Sequence, residues 1–130
     1  KKRGFGEGWW NGFGGKLDEN ESYEAAAIRE TIEESGLTPE EIKHIANLEF
    51  FFDNILKIVS KAYICTQFSG EAIETEEMKP CRFKLHEIPY DTMWPGDRYW
   101  VEPSINNSGE PLHFKLYFDD NKNFIEYKQV

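Results

Sequence analysis

The chain has 130 residues, of which 39% are hydrophobic and 15% aromatic, a composition that supports a folded core and excludes a disordered chain. Its formal net charge of −9 disfavours nonspecific binding to the polyanionic backbone of nucleic acids. No apolar run approaches the roughly 20 residues of a membrane helix, and no secretory signal opens the chain. We therefore expect one domain over residues 1–130, without a nucleic acid polymer or a membrane as partner.

Two cysteines, Cys65 and Cys81, are too far apart in sequence to form a C-x-x-C pair. Free thiols are typical of a reducing compartment, so we expect a cytoplasmic protein, and we expect it to be a monomer. The acidic charge has a second consequence. A polyphosphate ligand would be repelled unless metal ions bridged it to the protein.

The N-terminal half is predicted to contain one helix and two strands. Residues 4–15, rich in glycine and aromatic residues, indicate a loop that flanks a short strand. A helix is predicted over residues 22–35, with Ser22 as its N-cap and Gly36 at its end. Aromatic and β-branched residues predict the strands over residues 47–53 and 57–67.

The C-terminal half is predicted to open with an acidic loop and to close with a hairpin. The loop covers residues 69–79, and a short strand is predicted over residues 81–85. A second helix is predicted over residues 95–102, with Pro95 in its first turn and Pro103 at its end. The hairpin is expected to pair residues 112–118 with residues 124–129.

The first helix carries three glutamates in one angular sector, since 100° per residue brings Glu30, Glu33 and Glu34 together. The opposite sector is apolar and is predicted to pack on a sheet through Ala25, Ile28 and Ile32. Carboxylate oxygens are the ligands that magnesium prefers. Taken alone, however, three such glutamates are more often a solvated acidic face than a metal site.

The surrounding spacing favours the metal site. The pattern G-x5-E-x7-R-E-x2-E-E-x-G-L resembles the Nudix box and departs from it only at Thr31, where the family prefers an aliphatic residue. Its fixed positions are Gly15, Glu21, Arg29, Glu30, Glu33, Glu34 and Gly36. The resemblance implies Mg²⁺, with Mn²⁺ as an alternative, held by Gly14, Glu30, Glu33, Glu34 and Glu77. It also implies that Arg29 pairs with a glutamate of the helix and that Glu21 braces the junction between loop and helix.

Three further segments, KKRGFGEGWWNGFGGK, EEMKPCRF and MWPGDRYW, are similar to the MutT-homologue branch of that family, the oxidised purine nucleoside triphosphatases. This resemblance implies an α/β fold, an α/β/α sandwich with a mixed sheet, whose N-terminal strand is missing ahead of Lys1. It also implies hydrolysis of damaged purine nucleoside triphosphates, such as 8-oxo-dGTP or 2-hydroxy-dATP, to the monophosphate and pyrophosphate.

The same resemblance assigns roles by position. Glu34, Glu77 and Glu33 are expected to be catalytic. The residues expected to contact substrate are Lys1, Phe5, Asn11, Phe13, Gly14, Gly15, Lys16, Phe50, Trp94 and Asp97. Among them, Phe50 and Trp94 are expected to sandwich the purine. The chain departs from the branch at Gly96, because the branch has two adjacent aspartates there and this chain keeps only Asp97. The departure bears on the choice between oxidised and normal purines.

Other readings are less favoured. The three histidines, His44, His86 and His113, are dispersed and do not suggest a zinc site. The glycine-rich segment lacks the G-x4-G-K-[ST] pattern of a P-loop. Two rival functions stay open at this point. One is a Nudix hydrolase acting on another nucleoside diphosphate derivative, and the other is a non-catalytic module that binds nucleotides.

Overall fold

The computed structural model describes all residues, 1–130. It contains the helices α1 (Tyr23–Ser35) and α2 (Asp97–Asn106) and the strands β1 (Thr38–Phe52), β2 (Ile55–Ser69), β3 (Leu112–Phe118) and β4 (Phe124–Gln129). The sheet order is β2-β1-β3-β4, with β1 parallel to β3 and β3 antiparallel to β4. The α/β class with a mixed sheet is therefore confirmed.

Contacts within the chain divide it into two compact units, residues 1–42 with 65–94 and residues 43–64 with 95–130. The prediction of one domain stays a prediction. No helix is both long enough and apolar enough to span a membrane.

Helix α1 begins and ends where its capping residues predict. Ser22 is extended, with φ −78° and ψ 160°, and its hydroxyl oxygen accepts a hydrogen bond from the Ala25 amide. Gly36 has φ 77° and donates its N–H to the Ile32 carbonyl. A Cβ on Gly36 would come within 2.8 Å of the Ile73 side chain, so both backbone conformation and space require glycine here.

The predicted apolar face of α1 is wrong. Ala25 is exposed and Ile32 is 42% exposed, whereas Ala26, Glu34 and Ser35 are the buried residues of the helix. The spacing of the apolar residues predicted the wrong buried face because the carboxylate of Glu34 lies on the buried side. Polar groups can be buried there because each has a partner: Ser35 donates its hydroxyl to the Thr31 carbonyl at 2.6 Å, and Glu34 accepts an amide from the preceding loop.

Strands β1 and β2 are both longer than predicted. The added start of β1 covers residues 38–46, and its first part, Thr38–Ile42, is a mostly polar stretch that contains Pro39 and lacks the alternating apolar pattern that marks a strand. Its strand conformation depends on backbone pairing, which side-chain hydrophobicity does not encode. Asp53 and Asn54 connect β1 to β2 with φ values of 52° and 61°, the positive values of a two-residue hairpin turn.

Two predicted short strands do not form. Residues 81–84 are irregular and lead into a 3₁₀ turn at Leu85–Glu87, and a second such turn follows at Tyr90–Thr92. In the glycine-rich segment the only strand-like pairing is a single bridge between Trp10 and Met93. A strand needs a partner along its length, and one bridge does not supply it.

Helix α2 begins two residues later than predicted and does not end at Pro103. Gly96 precedes it with φ 100°, a left-handed conformation, so Pro95 lies outside the helix. Pro103 is the seventh helical residue and forfeits only the backbone bond that its missing N–H would have made to Tyr99. The fully buried Ser104 lies just beyond it.

The predicted hairpin of β3 and β4 is confirmed with the predicted bounds. The Asp119 carboxylate closes its turn by accepting hydrogen bonds from the amides of Asn121 and Asn123 at 2.8 and 2.9 Å. Alternate residues of β3 form the core of the second unit: Phe114, Leu116 and Phe118 are each 1% exposed. Burying each such side chain contributes about 1.5–3 kcal/mol.

Candidate active site

The glycine-rich loop touches helix α1 at two glutamates. The Gly14 amide donates a 2.8 Å hydrogen bond to Oε1 of Glu34. A Cβ on Gly15 would lie 2.6 Å from both Cδ and Oε1 of Glu30. Glycine at position 15 therefore lets the loop pass directly over a carboxylate of the helix, and the amide of the neighbouring glycine holds a second one.

Arg29 organises the acidic side chains at the start of the site. Its Nε and Nη2 donate to the two carboxylate oxygens of Glu21 at 2.8 and 2.9 Å, a bidentate pair. Its Nη1 reaches Glu30 at 3.0 Å and Glu33 at 3.3 Å. Its Nη2 also donates to the Lys16 carbonyl at 3.1 Å. One guanidinium thus joins the loop to three glutamates.

This network stabilises the charged form of both partners. The bond from Arg29 is the main reason that the pKa of Glu21 is lowered to about 2, and the Asp18 amide adds a further hydrogen bond. The bond to Glu21 correspondingly raises the pKa of Arg29. Asp18 also forms an ion pair with Arg29 at 3.3 Å. No motif in the sequence had marked Asp18.

Glu34 lies at the centre of the negative charge. It is 3% exposed, and burial is the main cause that raises the pKa of its carboxyl. The Gly14 amide opposes that rise, while the nearby carboxylates of Glu30 and Glu77 add to it. A buried acid among like charges is costly to ionise. A divalent cation would offset that cost, and the donors are carboxylate oxygens, which suit a hard cation.

The carboxylates do not form a preformed metal site, since no three acidic, histidine or cysteine side chains converge closely enough to hold a metal ion. Glu30 and Glu33 are turned toward Arg29 instead. The side chain of Glu33 is 57% exposed, and that of Glu30 is 15% exposed. The donor set has the right chemistry, and its members lie on one helix and the loops beside it.

Glu77 approaches this helix from the acidic loop after β2. Its side chain is 46% exposed and bonds to Nη2 of Arg3 at 3.2 Å. Its carbonyl accepts the Lys2 amide at 2.8 Å. Lys2 also bonds through its ammonium group to Glu74 at 2.6 Å. The acidic loop is thus fastened to the first residues of the chain, a contact that no sequence motif had indicated.

Aromatic rings of the same unit surround Trp94. Phe5 stacks on it with ring centroids 4.8 Å apart, and Trp9 packs against it at 5.2 Å with a 49° tilt. Gly6 lies so close that a Cβ would be 3.0 Å from the indole nitrogen of Trp94. The structure therefore brings together Phe5 and Trp94. Trp9 is an additional ring, which its place in the aromatic segment could have indicated.

The other residues of the first unit that were predicted to contact substrate are Lys1, Asn11, Phe13 and Lys16. Lys1 lies near enough to Glu34 to lower the pKa of its carboxyl, although burial outweighs this effect. Asn11 accepts the Gly12 amide at 3.1 Å, and Lys16 is exposed. Phe13 lines a cleft of about 460 Å³ that contains none of the box carboxylates; its other lining residues are Leu37, Phe68, Gly70, Glu71, Ala72, Pro80, Cys81 and Arg82.

The second unit holds Phe50 and Asp97. Phe50, on β1, is partly buried, and its ring stacks on that of Phe118 with centroids 6.3 Å apart. Asp97 is 7% exposed, and burial raises the pKa of its carboxyl to about 6. The Trp100 indole N–H donates to its Oδ1 at 3.0 Å and partly offsets that rise. Asp97 is therefore a buried acid that titrates close to neutrality.

Comparison with known proteins agrees with the sequence motifs. A family model described as the NUDIX domain matches residues 1–102. The chain is 38% identical over 128 residues to the oxidized purine nucleoside triphosphate hydrolase of Mus musculus, covering 98% of this chain and 81% of that protein. It is 37% identical over 129 residues to the protein of the same name in Danio rerio, again covering 98% and 81%.

A crystal structure of the MutT protein from Bacillus halodurans has the same fold, with a TM-score of 0.75 at 23% identity. The match covers 94% of this chain and 82% of that one. With the family model spanning most of the chain and the fixed box positions gathered on α1 and its loop, the chain belongs to the Nudix family.

Proposed function

We propose that this chain hydrolyses oxidised purine nucleoside triphosphates, such as 8-oxo-dGTP or 2-hydroxy-dATP, to the nucleoside monophosphate and pyrophosphate, and so removes damaged precursors from the nucleotide pool. The observation that carries the proposal is the buried Glu34, held by the Gly14 amide and faced by Glu30 and Glu77. The two relatives named as hydrolases of oxidized purine nucleoside triphosphates support the substrate class.

Nudix hydrolases work with a divalent cation, and we propose that it is Mg²⁺ here, with Mn²⁺ able to replace it. Its ligands are proposed to be the carboxylates of Glu30, Glu33, Glu34 and Glu77 and the carbonyl of Gly14. When bound, the cation neutralises phosphate charge and makes an attacking water more acidic. The acidic protein surface supports this proposal, because the substrate is itself polyanionic.

The protein's own groups position and deprotonate the water. Oε1 of Glu34 is engaged by the Gly14 amide, so Oε2 is the oxygen left to face a cation or to accept a proton. Glu34 or Glu77 is the general base, and Glu33 supports the charge balance beside them. The water oxygen bonds to phosphorus as the P–O bond to the pyrophosphate leaving group breaks. The proton released by the water passes to the carboxylate.

The base and the phosphates are proposed to use the contacts predicted from the sequence. The residues proposed to contact the purine are Asn11, Phe5, Phe13, Phe50, Trp94 and Asp97. The residues proposed to contact the triphosphate are Lys1, Gly14, Gly15 and Lys16. Stacking on Trp94 or Phe50 contributes about 1–3 kcal/mol per base. With Gly96 in place of an aspartate, Asp97 is the acidic contact to the base edge, and its protonation state sets whether it donates or accepts a hydrogen bond.

Turnover by Glu34→Gln tests the chemical role of the carboxylate. With saturating Mg²⁺, this variant is expected to lose roughly 10²- to 10⁴-fold in kcat. The matched control is Glu24→Gln, which removes an exposed acid from the first turn of the same helix and should leave kcat unchanged. Unchanged turnover in Glu34→Gln would remove Glu34 from the mechanism.

A substrate panel tests the proposed specificity. It compares kcat/KM for 8-oxo-dGTP, 2-hydroxy-dATP, O6-methyl-dGTP and dGTP with the wild-type protein and Mg²⁺. Preference for an oxidised purine is the expected result. Equal rates on dGTP would assign a broader Nudix activity, and binding without release of pyrophosphate would assign a non-catalytic module. We also propose a cytoplasmic location, which the two free cysteines support, and a monomeric state.

A further inference from the structure

The hydroxyl of Thr75 lies between the two glutamates that approach each other from different segments. Its Oγ1 donates to the carbonyl of Glu34 at 3.0 Å. The same oxygen accepts the amides of Glu77 at 3.3 Å and Met78 at 3.2 Å. One side chain thus contacts the backbone of Glu34, at the end of α1, and the backbone of Glu77, in the acidic loop.

The contact to Glu34 fills a requirement of the helix itself. The last carbonyls of an α-helix have no partner within the helix and need one from outside. At the end of α1 the acidic loop supplies two: Thr75 donates to the Glu34 carbonyl, and the Ile73 amide donates to the Ser35 carbonyl at 2.8 Å. The loop is therefore docked on the residues that carry the buried carboxylate.

The contact to Glu77 fixes a tight turn. The Thr75 amide donates to the Met78 carbonyl at 2.9 Å while its hydroxyl accepts the amides that follow it. Met78 is 4% exposed and anchors the turn in the interior. The carboxylate of Glu77 is 46% exposed and accepts a hydrogen bond from Nη2 of Arg3 at 3.2 Å. The backbone of Glu77 is thus fixed, while its side chain lies partly exposed at the surface.

We propose that Thr75 is a positioning residue that holds Glu77 beside Glu34 so that the two carboxylates can act on the same divalent cations. The inference rests on the proposed function for its link to hydrolysis, but the positioning is a property of the protein alone. The contacts of the Thr75 hydroxyl are all to backbone groups, those of Glu34, Glu77 and Met78. It acts through the backbone of Glu34 and Glu77, the two proposed metal ligands.

A double-mutant cycle tests the proposal. Thr75→Val keeps the shape of the side chain and removes all three hydrogen bonds of the hydroxyl. It is expected to weaken Mn²⁺ binding to the nucleotide-free protein, measured by electron paramagnetic resonance, and to lower kcat/KM, each by roughly 10- to 100-fold. In a Glu77→Gln background the same substitution should change both quantities by less than about twofold, because the residue it positions is already disabled.

Two variants separate positioning from general destabilisation. Thr75→Ser keeps the hydroxyl and should restore both quantities to within about twofold of wild type. Thr31→Val is the matched control, since the Thr31 hydroxyl donates to the Ala27 carbonyl within α1 and does not reach the loop. It should leave Mn²⁺ binding unchanged. Melting temperatures are recorded for every variant, and Thr75→Ala takes the place of Thr75→Val in the cycle if the valine variant does not fold.

Three results would overturn the proposal: wild-type Mn²⁺ affinity in Thr75→Val, an equal loss in the Glu77→Gln background, or a serine variant as defective as the valine variant. Failure of this inference is distinguishable from failure of the proposed function. If the wild-type protein hydrolyses no nucleotide, the function is wrong, while the Mn²⁺ measurements still decide the role of Thr75.

Discussion

Gly15 and Glu30 approach so closely that a single added carbon on Gly15 would stand 2.6 Å from the Glu30 carboxylate. Gly15 belongs to the loop before α1, and Glu30 lies in the middle of that helix. Any movement of the carboxylate away from Gly15 would disturb the 3.0 Å hydrogen bond that its Oε1 accepts from Arg29. The space left by a missing side chain therefore sets where one of the proposed metal ligands lies.

Gly15→Ala is expected to displace the Glu30 carboxylate and to weaken Mn²⁺ binding by roughly tenfold, with a proportionate loss of kcat/KM. The fold should survive, since the clash meets the end of a flexible side chain. The control is Gly12→Ala, because a Cβ on Gly12 meets nothing within 4 Å. Equal Mn²⁺ affinity in the two variants, measured by isothermal titration, would contradict the prediction.

Glu21→Gln is expected to lower the melting temperature at neutral pH, because it breaks the bidentate pair with Arg29. The pKa of Glu21 is lowered from 4.5 to about 2, so its contribution to stability is present above pH 4.5 and is lost as the pH falls toward 2. The difference in melting temperature from wild type should therefore shrink over that window. Glu19→Gln, at an exposed position nearby, should show no such difference at any pH.

Asp97→Asn is expected to make the protein more stable at alkaline pH. Burial raises the pKa of Asp97 from 3.8 to about 6, so its contribution is complete below pH 3.8 and is lost as the pH rises through 6. The shift corresponds to roughly 2–3 kcal/mol in the free energy of unfolding. Asparagine can still accept the Trp100 N–H and cannot ionise.

Denaturant titrations of Asp97→Asn and wild type from pH 4 to pH 8 check this expectation. The stability advantage of the variant should grow as the pH rises, and Asp120→Asn, at an exposed residue, should show no trend. A constant difference across the range would show that Asp97 is not a buried acid that ionises near neutrality.

Gly96→Ala is expected to destabilise the second unit more than a change of backbone conformation alone can explain. Gly96 has φ 100°, and a Cβ there would lie 3.1 Å from Phe124 and 3.2 Å from Leu116. Gly8→Ala is the comparison, because Gly8 has φ 83° and nothing within 4 Å. We expect about 1–2 kcal/mol of destabilisation at Gly8 and a further 1–3 kcal/mol or so at Gly96.

Chemical denaturation of the two glycine variants at pH 7 measures that difference. The result bears on the proposed specificity, because aspartate at position 96 would restore the aspartate pair that the sequence resemblance implies for positions 96 and 97. Equal losses in Gly96→Ala and Gly8→Ala would show that the neighbours of Gly96 yield easily. In that case Gly96→Asp becomes a practical test of lesion selectivity.

Local structure was predictable from the sequence where neighbouring residues in the chain form it. Ser22 and Gly36 bound α1, and Asp119 closes the hairpin turn, through bonds that span four residues or fewer. The start of β1 and the end of α2 were mispredicted for the opposite reason. A polar strand is defined by its backbone pairing with another strand, which local sequence does not encode. Helix α2 continues past Pro103 to Asn106, although the proline alone favours a helix end.

For the candidate site, spacing predicted which residues carry the chemistry but not how they are held. The positions of Glu30, Glu33 and Glu34 follow from the box. Their partners do not, since Gly14 lies 20 residues before Glu34, and Thr75 lies 41 residues after it. Asp18 and Thr75 carry no motif, and only their contacts reveal them.

The sequence by itself determined the family, the capped helix and the glutamates placed at turn spacing on it, because these depend on residue types at short, fixed separations. Only the tertiary structure decided which side of α1 is buried. It also decided that the side chain of Glu34 lies on that buried side and that Asp97 is a buried acid. Burial depends on which distant segment packs over a residue. That choice is made by the whole chain when it folds, and no local window contains it.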